Sequence, residues 1–445
     1  MKHLIRNLGL TFFGSLLCSM AYAQDLYTIL ELALENDPTL KQAEAQYRAN
    51  RENLSQSRSA LLPSFGAGGS TSRVTSGPAD DVFRTFPDPL TGAPTSVLVQ
   101  PRHSYGNGLN NHGWGVNLSQ SVLNLASWYT FQSAKASDRA AAVNLAAQEQ
   151  DLIMRVAMAY FDVLRAQELL ATNLQEEEAA LRSLEQTRQR EEVGLVAITD
   201  VFDSQAAYDL ARNTTILQRD LLRARFEALE TITGQPHGDI DELRADFPIL
   251  EVNGSLIDWE DQAEDNSLAI AAARYNLEAS RKNLRARKAD RLPTVDFLGQ
   301  YGHNVTAPIV SQGIQIGGGA FDRTSLALSI NIPIYTGGAV SSRRRQAEQN
   351  LVAAQESLEL TRRQLTQNIR NAYRRVNTDV LVIAQRQQSI DSAQLALDAT
   401  ELGAEVGTRN IVEVLRAREN LFRALRQYAD ARFNYVLDTL LLKQT

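Results

Sequence analysis

Cysteine and histidine are almost missing. One cysteine, Cys18, and five histidines occur in 445 residues. A disulfide framework is excluded, and a Cys/His metal cluster nearly so. Positive charge is not in excess. Lys and Arg number 45 against 52 Asp and Glu, a net charge of −7, which argues against nucleic acid as the main partner. Beyond the N-terminus no run of 18 apolar residues occurs, so a multi-span helical membrane protein is excluded. A membrane β-barrel stays open, because its strands alternate and escape hydropathy averaging. Catalytic motifs are missing too. His103, His112 and His303 fall near strands or their loops and His237 after a glycine turn, none with a paired nucleophile. Gly317-Gly318-Gly319 falls between two strands and not between a strand and a helix, so it cradles no phosphate. The chain reads as a non-enzyme with no cofactor.

Proline is absent from residues 102–235 and 334–445. A proline inside a helix costs about 3 kcal/mol, so long helices belong in these gaps. Glycine agrees: between Gly115 and Gly234 only Gly194 occurs, and after Gly338 only Gly403 and Gly407. Each gap therefore predicts a long helix, a tight glycine turn and a shorter return helix. The long helices, 126–193 and 339–404, would each reach about 100 Å. Their apolar residues follow a 3.5-type seam: Ile153, Val156, Tyr160, Val163, Leu170 and Leu174 in one, Leu365, Ile369, Ala372, Val376 and Ile383 in the other. The stripe is narrow and alanine-rich, as suits helices that touch neighbours sideways and meet water on two faces. An ordinary dimeric coiled coil is the plain alternative.

At the N-terminus Lys2 and Arg6 precede an apolar stretch, Leu8 to Met20, and Ala21-Tyr22-Ala23 fits a small-x-small cleavage site. Residues 1–23 read as a signal peptide, with Gln24 first in the mature chain and Cys18 removed. A short membrane anchor is the alternative, but the stretch is short for a span.

The chain repeats itself. At a shift of 230, Asn36 falls on Asn266, Arg51 on Arg281 and Leu62-Pro63 on Leu292-Pro293. At a shift of 213, Ala159-Tyr160 meets Ala372-Tyr373 and Val193-Gly194 meets Val406-Gly407. The difference between the shifts falls in the segment between the strands, where loops absorb length cheaply. We read a tandem duplication of helix, strand, loop, strand, long helix, turn and helix. The first repeat is 24–235, with strands near 64–74 and 112–122, the long helix and a return helix at 197–232. Residues 236–260 link. The second repeat is 261–445, with strands near 293–303 and 323–335, the long helix and a return helix at 410–443. In the strands apolar residues alternate with small or polar ones: Trp114, Val116 and Leu118 against Gly115, Asn117 and Ser119; Leu326, Leu328 and Ile330 against Ala327, Ser329 and Asn331. That suits a barrel with a wet lumen, or a soluble sandwich. Four strands cannot close a membrane barrel, and an open edge in lipid is not tolerated. A spanning chain must therefore be an oligomer, with eight strands from two copies or twelve from three.

Val193-Gly194-Leu195-Val196-Ala197-Ile198-Thr199-Asp200-Val201 and its counterpart Gly407-Thr408-Arg409 with Ile411-Val412 resemble the TolC family of outer-membrane channel-tunnel proteins. So do Ala159-Tyr160-Phe161, Ile334-Tyr335 with Gly337-Gly338, Leu61-Leu62-Pro63 and Ile232-Thr233-Gly234, in order over nearly the whole chain. The resemblance implies a mixed fold: a homotrimer with a twelve-stranded outer-membrane β-barrel, a long α-helical coiled-coil barrel in the periplasm, and a belt near 24–35, 232–260 and the C-terminus. It implies a passive exit duct for drugs, toxic small molecules or secreted proteins. The duct would work with a periplasmic adaptor and an inner-membrane pump of RND or ABC type. Gly194, Leu195, Val196, Gly407 and Thr408 would dock the adaptor. Asp200 and Arg409 match positions that link the coils shut, and Glu413 matches one of two acidic rings at the entrance. Ala404 stands where closer relatives carry a linking tyrosine, and Arg416 where they carry the second acid. A looser latch and a less cation-selective pore are expected. The reading from another class is a trimeric coiled-coil envelope protein without transport. The run Arg343-Arg344-Arg345 falls just below the strands, where anionic lipid could be met, and the loop 75–111 is expected to face outside.

Overall fold

The computed structural model describes residues 25–74, 82–100, 109–238, 240–241, 247–311 and 314–444. The expected signal segment, Cys18 and His103 lie outside the described residues. In chain order come α1 (Leu26–Asn36), α2 (Pro38–Ser59), β1 (Ser64–Val74), β2 (Val82–Pro87), β3 (Pro94–Gln100), β4 (Leu109–Leu123), α3 (Leu125–Glu192) and α4 (Ile198–Thr233). Then follow α5 (Leu256–Asn266), α6 (Leu268–Ala289), β5 (Thr294–Thr306), β6 (Ile309–Ser311), β7 (Ile314–Ile316), β8 (Gly319–Asn331), α7 (Ala339–Glu405) and α8 (Ile411–Gln444). Among the described residues no helix is long and apolar enough to cross a membrane.

Two compact units each draw on both halves of the chain. The first comprises the described residues within 25–45, 145–267 and 362–444. Its core joins Ile29 and Ala33 of α1, Leu152, Val156, Tyr160 and Val163 of α3, Leu229 of α4, Ala372, Val376 and Ile383 of α7, and Phe433 and Val436 of α8. An 11-residue helix such as α1 is marginal alone. Burial of Ile29 and Ala33 holds it here. The narrow seam expected on α3 needs correction. Ile153 and Leu174 are exposed, while Leu152, Met154, Ala157, Phe161 and Leu164 are buried. The core places residues of α1, α4, α7 and α8 around this part of α3, so its buried stripe widens beyond a heptad seam. On α7 the seam stays narrow: Ile369, Ala372, Val376 and Ile383 are buried.

The second unit comprises residues 46–144 and 268–361. Its centre is a four-stranded antiparallel sheet in the order β1-β4-β5-β8, so β4 and β5 join the two halves of the chain and β1 and β8 are edges. Register fixes the faces. Phe65, Leu118, Gly299 and Leu326 lie in one row, and Ala67, Val116, Tyr301 and Thr324 in the next on the same face. Gly66, Asn117 and Gln300, and then Gly68, Gly115 and Gly302, occupy rows of the opposite face. Near the helices one face is thus mostly apolar and aromatic and the other mostly small and polar, with Leu298 an exception on the second; towards the far end the first face carries Arg73, Asn110, His112, His303 and Asp322, and the second carries Val74, Leu109 and Phe321. Beneath the sheet α6 buries Ile270, Leu277 and Leu284, and Ser133 Oγ donates to the Ala279 carbonyl at 2.8 Å.

Three features differ from the sequence reading. The inter-strand loops contain hairpins of their own, β2–β3 and β6–β7. The β2–β3 turn closes through Asp88 N–H to the Ala93 carbonyl at 2.8 Å, with Asp88 Oδ1 accepting from Leu90 and Thr91 N–H. The segment's many prolines concealed these short strands. Finally, β8 starts at Gly319 and stops at Asn331, short of the expected end at 335. Pro333 cannot donate to a ladder.

Candidate functional site

The residues singled out from the sequence fall at two helix–helix turns of the first unit. At the α3–α4 turn Gly194 adopts φ +73°, and at the α7–α8 turn Gly407 adopts φ +77°. Left-handed backbone costs an ordinary residue about 1–2 kcal/mol, which glycine avoids. Leu195 N–H reaches back to the Arg190 carbonyl at 2.8 Å and Gly194 N–H to that of Glu191 at 2.8 Å, satisfying carbonyls the ending helix leaves open.

The second turn is built around Gly403, which the sequence reading named but gave no role. The Gly403 carbonyl accepts from Thr408 N–H at 2.8 Å, Arg409 N–H at 3.1 Å and Thr408 Oγ1 at 3.0 Å. A Cβ on Gly403 would lie 2.7 Å from Arg409 Cγ, so any larger residue here must shift the Arg409 side chain. The only sequence signal was a glycine four residues ahead of the turn glycine. Large apolar side chains are bare at both turns: Val193 and Leu195 are 69% exposed and Val406 is 75% exposed. Val196 is half-buried.

The residues expected to link the coils lie at and beside these turns. Arg409 Nη1 meets Glu413 Oε2 at 2.6 Å, one helical turn on. Asp200 lies in the first turn of α4, and among the described residues no bond joins it to Arg409. Glu413 N–H donates to Asn410 Oδ1 at 2.9 Å, which caps α8. Ala404 packs against Leu397, Val414 and Leu421 in a small apolar cluster between α7 and α8. Arg416 is exposed and lines a groove of about 240 Å³ with Leu210 and Ala211 of α4 and Leu415 of α8.

Stronger ties lie farther from the turn. Arg418 Nη2 meets Glu401 Oε1 of α7 at 2.7 Å while its Nη1 donates to the Ala179 carbonyl of α3 at 3.0 Å. Arg426 Nη1 pairs with Glu176 of α3 and donates to Asn173 Oδ1 at 3.2 Å. These two side chains are only 16% and 28% exposed, against 60% for Arg409. Exposed pairs contribute about 0–1 kcal/mol, and partly buried charged hydrogen bonds more. The arginines of α8 therefore hold the α7–α8 hairpin against α3 more firmly than the pair at the turn. Within the other hairpin, Arg188 Nη2 donates to Gln205 Oε1 at 2.6 Å, and buried Ser204 meets Thr187 at 3.3 Å.

The sequence model of a family described as outer membrane efflux protein matches residues 29–235 and 259–444. The chain is 33% identical over 431 residues to outer membrane protein TolC of Vibrio cholerae, covering 96% of this chain and 92% of that protein. It is 27% identical over 444 residues to the proteases secretion protein PrtF of Dickeya chrysanthemi, covering 98% of this chain and 91% of that one. Its fold resembles the crystal structure of the Vibrio cholerae outer membrane protein VceC with a TM-score of 0.74 at 17% identity, over 94% of this chain and 95% of that one.

Proposed function

The chain belongs to the outer membrane efflux protein family, and from that membership and its geometry we propose how it works as an exit duct. The duct lies in the outer membrane and passively conducts what an inner-membrane pump and a periplasmic adaptor deliver. Small toxic molecules and secreted proteins are both within its range, in keeping with the names of its efflux and protease-secretion relatives. The observation that carries the reading is the sheet: one apolar face, one small polar face and two open edges. Lipid covers the first, water the second, and neighbouring copies of the chain the edges. Three copies make twelve strands, enough to leave a channel, whereas eight would leave an interior filled by side chains. The matched segments of the two halves support an internal duplication.

The helical turns form the periplasmic entrance. Bare Leu195 and Val193, with Gly194, Val196, Gly407 and Thr408, dock the adaptor. Asp200, Arg409 and Glu413 link neighbouring coils weakly enough to be broken. Here Arg409, in the turn, engages Glu413 of the adjoining α8, so a link to Asp200 requires a second coil. Ala404 removes one linking hydroxyl, and Arg416 makes the entrance less acidic. The pore is accordingly less cation-selective than its relatives.

Single-channel recording of the purified protein in a planar bilayer tests the reading. Small, long-lived steps are expected from a duct with a constricted end. Silence from a well-folded trimer would return the chain to the class of structural coiled-coil proteins. Strong cation selectivity lost only in Glu413→Ala would remove Arg416 from the entrance.

A further inference from the structure

We propose that the junction between helices and sheet in the second unit is a binding surface for anionic phospholipid headgroups of the membrane's periplasmic leaflet. The chain as a whole is acidic, yet this junction carries an excess of exposed cations. Arg281, Arg285 and Lys288 sit at i, i+4 and i+7 on α6, one face of its last turns, and all three are exposed. Arg343 and Arg345 are exposed in the second turn of α7. Among the described residues none of these five has a carboxylate partner. Nearby cations that need a structural partner have one: Arg287 meets Asp290 at 3.6 Å and Arg344 meets Glu348 at 3.5 Å. Arg291 Nη2 donates to Ser341 Oγ at 3.0 Å and fastens the end of α6 to the start of α7, so the two groups form one patch.

The patch lies where a lipid interface falls. α6 leads into β5 through Leu292, and β8 leads into α7 through Ile332, Ile334 and Tyr335. Ile334 and Tyr335 are 93% and 87% exposed. An apolar strand face, then a bare isoleucine and tyrosine, then arginines is the order a chain follows when it leaves hydrocarbon through the headgroup layer. Arg343 and Arg345 stand about 6–9 Å along α7 from its first residue, and the α6 cations about 2–12 Å from its last. A headgroup layer is about 5–8 Å deep, so Lys288, Arg285 and Arg343 lie within it, while Arg345 and Arg281 lie just beyond and reach it through their long side chains. Arginine is the residue suited to a phosphodiester, which its guanidinium grips with two parallel N–H bonds.

Helix stability does not account for the patch. Cations at the end of α6 gain from the helix dipole, but those near the start of α7 face its positive end. Nor does the architecture require them. At the shifts that align the two halves, Arg343 and Arg345 correspond to Thr130 and Gln132 of α3, which is built equally long without them.

The inference rests on the outer-membrane reading, and the test separates the two. Full-length mature protein is reconstituted in nanodiscs of phosphatidylethanolamine containing one quarter phosphatidylglycerol, stripped to its tightly held lipid, and that lipid is quantified. Wild type is expected to retain phosphatidylglycerol roughly threefold or more above its bulk share, less in high salt. Arg343→Gln/Arg345→Gln is expected to lose most of the enrichment, and the Arg343→Lys/Arg345→Lys variant to recover part of it. Equal retention by wild type and the glutamine variant overturns the proposal. So does full competition by glycerol 3-phosphate at equal concentration, the mark of a plain anion site. Loss of enrichment only together with loss of the oligomer also overturns it, since the patch would then be a contact between chains. Wild type that conducts without enriching sinks this inference alone, whereas enrichment without conductance upholds it and sinks the duct.

Discussion

Asp37 is 2% exposed at the joint between α1 and α2. Pro38 begins α2, Asp37 Oδ1 caps it by accepting from Leu40 N–H at 2.7 Å, and Arg155 closes on both carboxylate oxygens at 3.0 and 3.1 Å. Burial alone pushes this carboxyl up. The Arg155 bonds, Thr39 and Leu40 N–H more than reverse that and hold it at about 2. A depressed pKa contributes stability above the unfolded value, near 3.9, and that contribution is lost as pH falls through about 2. Asp37→Asn is expected to destabilise the first unit by about 1–3 kcal/mol at pH 7, with the gap to wild type closing towards pH 2 in circular-dichroism melts. Asp379 on α7 behaves oppositely. Burial, and then Asp438 of α8, push it up to about 6. A raised carboxyl favours the fold at low pH and costs stability as pH rises from near 4 through about 6. Asp379→Asn is expected to melt higher than wild type at pH 7.5 and to match it below pH 4.

The helices were legible because long proline-free and glycine-poor stretches have few other outcomes, and their turns because glycine marks each break. The buried phase of α3 was not legible, because which residues face the core depends on the several helices that flank it. The hairpins β2–β3 and β6–β7 are too short, and too rich in turn residues, to show a period. The two turn glycines make a clean comparison with Gly403. At Gly407 a Cβ meets open space, so Gly407→Ala is expected to cost about 1–2 kcal/mol through backbone strain alone and to leave the turn's shape intact. Gly403, inside α7, carries no left-handed strain, so Gly403→Ala is expected to act only by displacing the Arg409 side chain. Hydrogen exchange of the 400–413 amides distinguishes local loosening from a moved side chain. The clamps of α8 extend the argument. Arg426→Ala strands Glu176, which is expected to destabilise by about 1–3 kcal/mol. If the hairpin gates the duct, single-channel conductance should rise more in this variant than in Arg409→Ala.

The sheet cannot end where the chain ends. β8 is exposed along its whole length, with Leu326, Leu328 and Ile330 bare, and β1 is exposed at the other edge. Such edges pair with other copies or aggregate. Light scattering in mild detergent is expected to give a protein mass three times that of the mature chain. A dimer or monomer would remove the twelve-stranded barrel. Both compact units are assembled from both halves of the chain, so neither half is expected to make either unit alone.

Composition and punctuation marked the main elements of this acidic chain: two long helices with glycine turns, and the four strands of the central sheet. These are local matters, decided by the cost of proline, the freedom of glycine and the two-residue period of a strand. Folding in space decided which strands share a sheet, which face of α3 is buried, and that the firm ties of α8 are Arg418 and Arg426. Their partners in α3 lie 239 to 253 residues away, and only a folded chain brings such groups within hydrogen-bond reach.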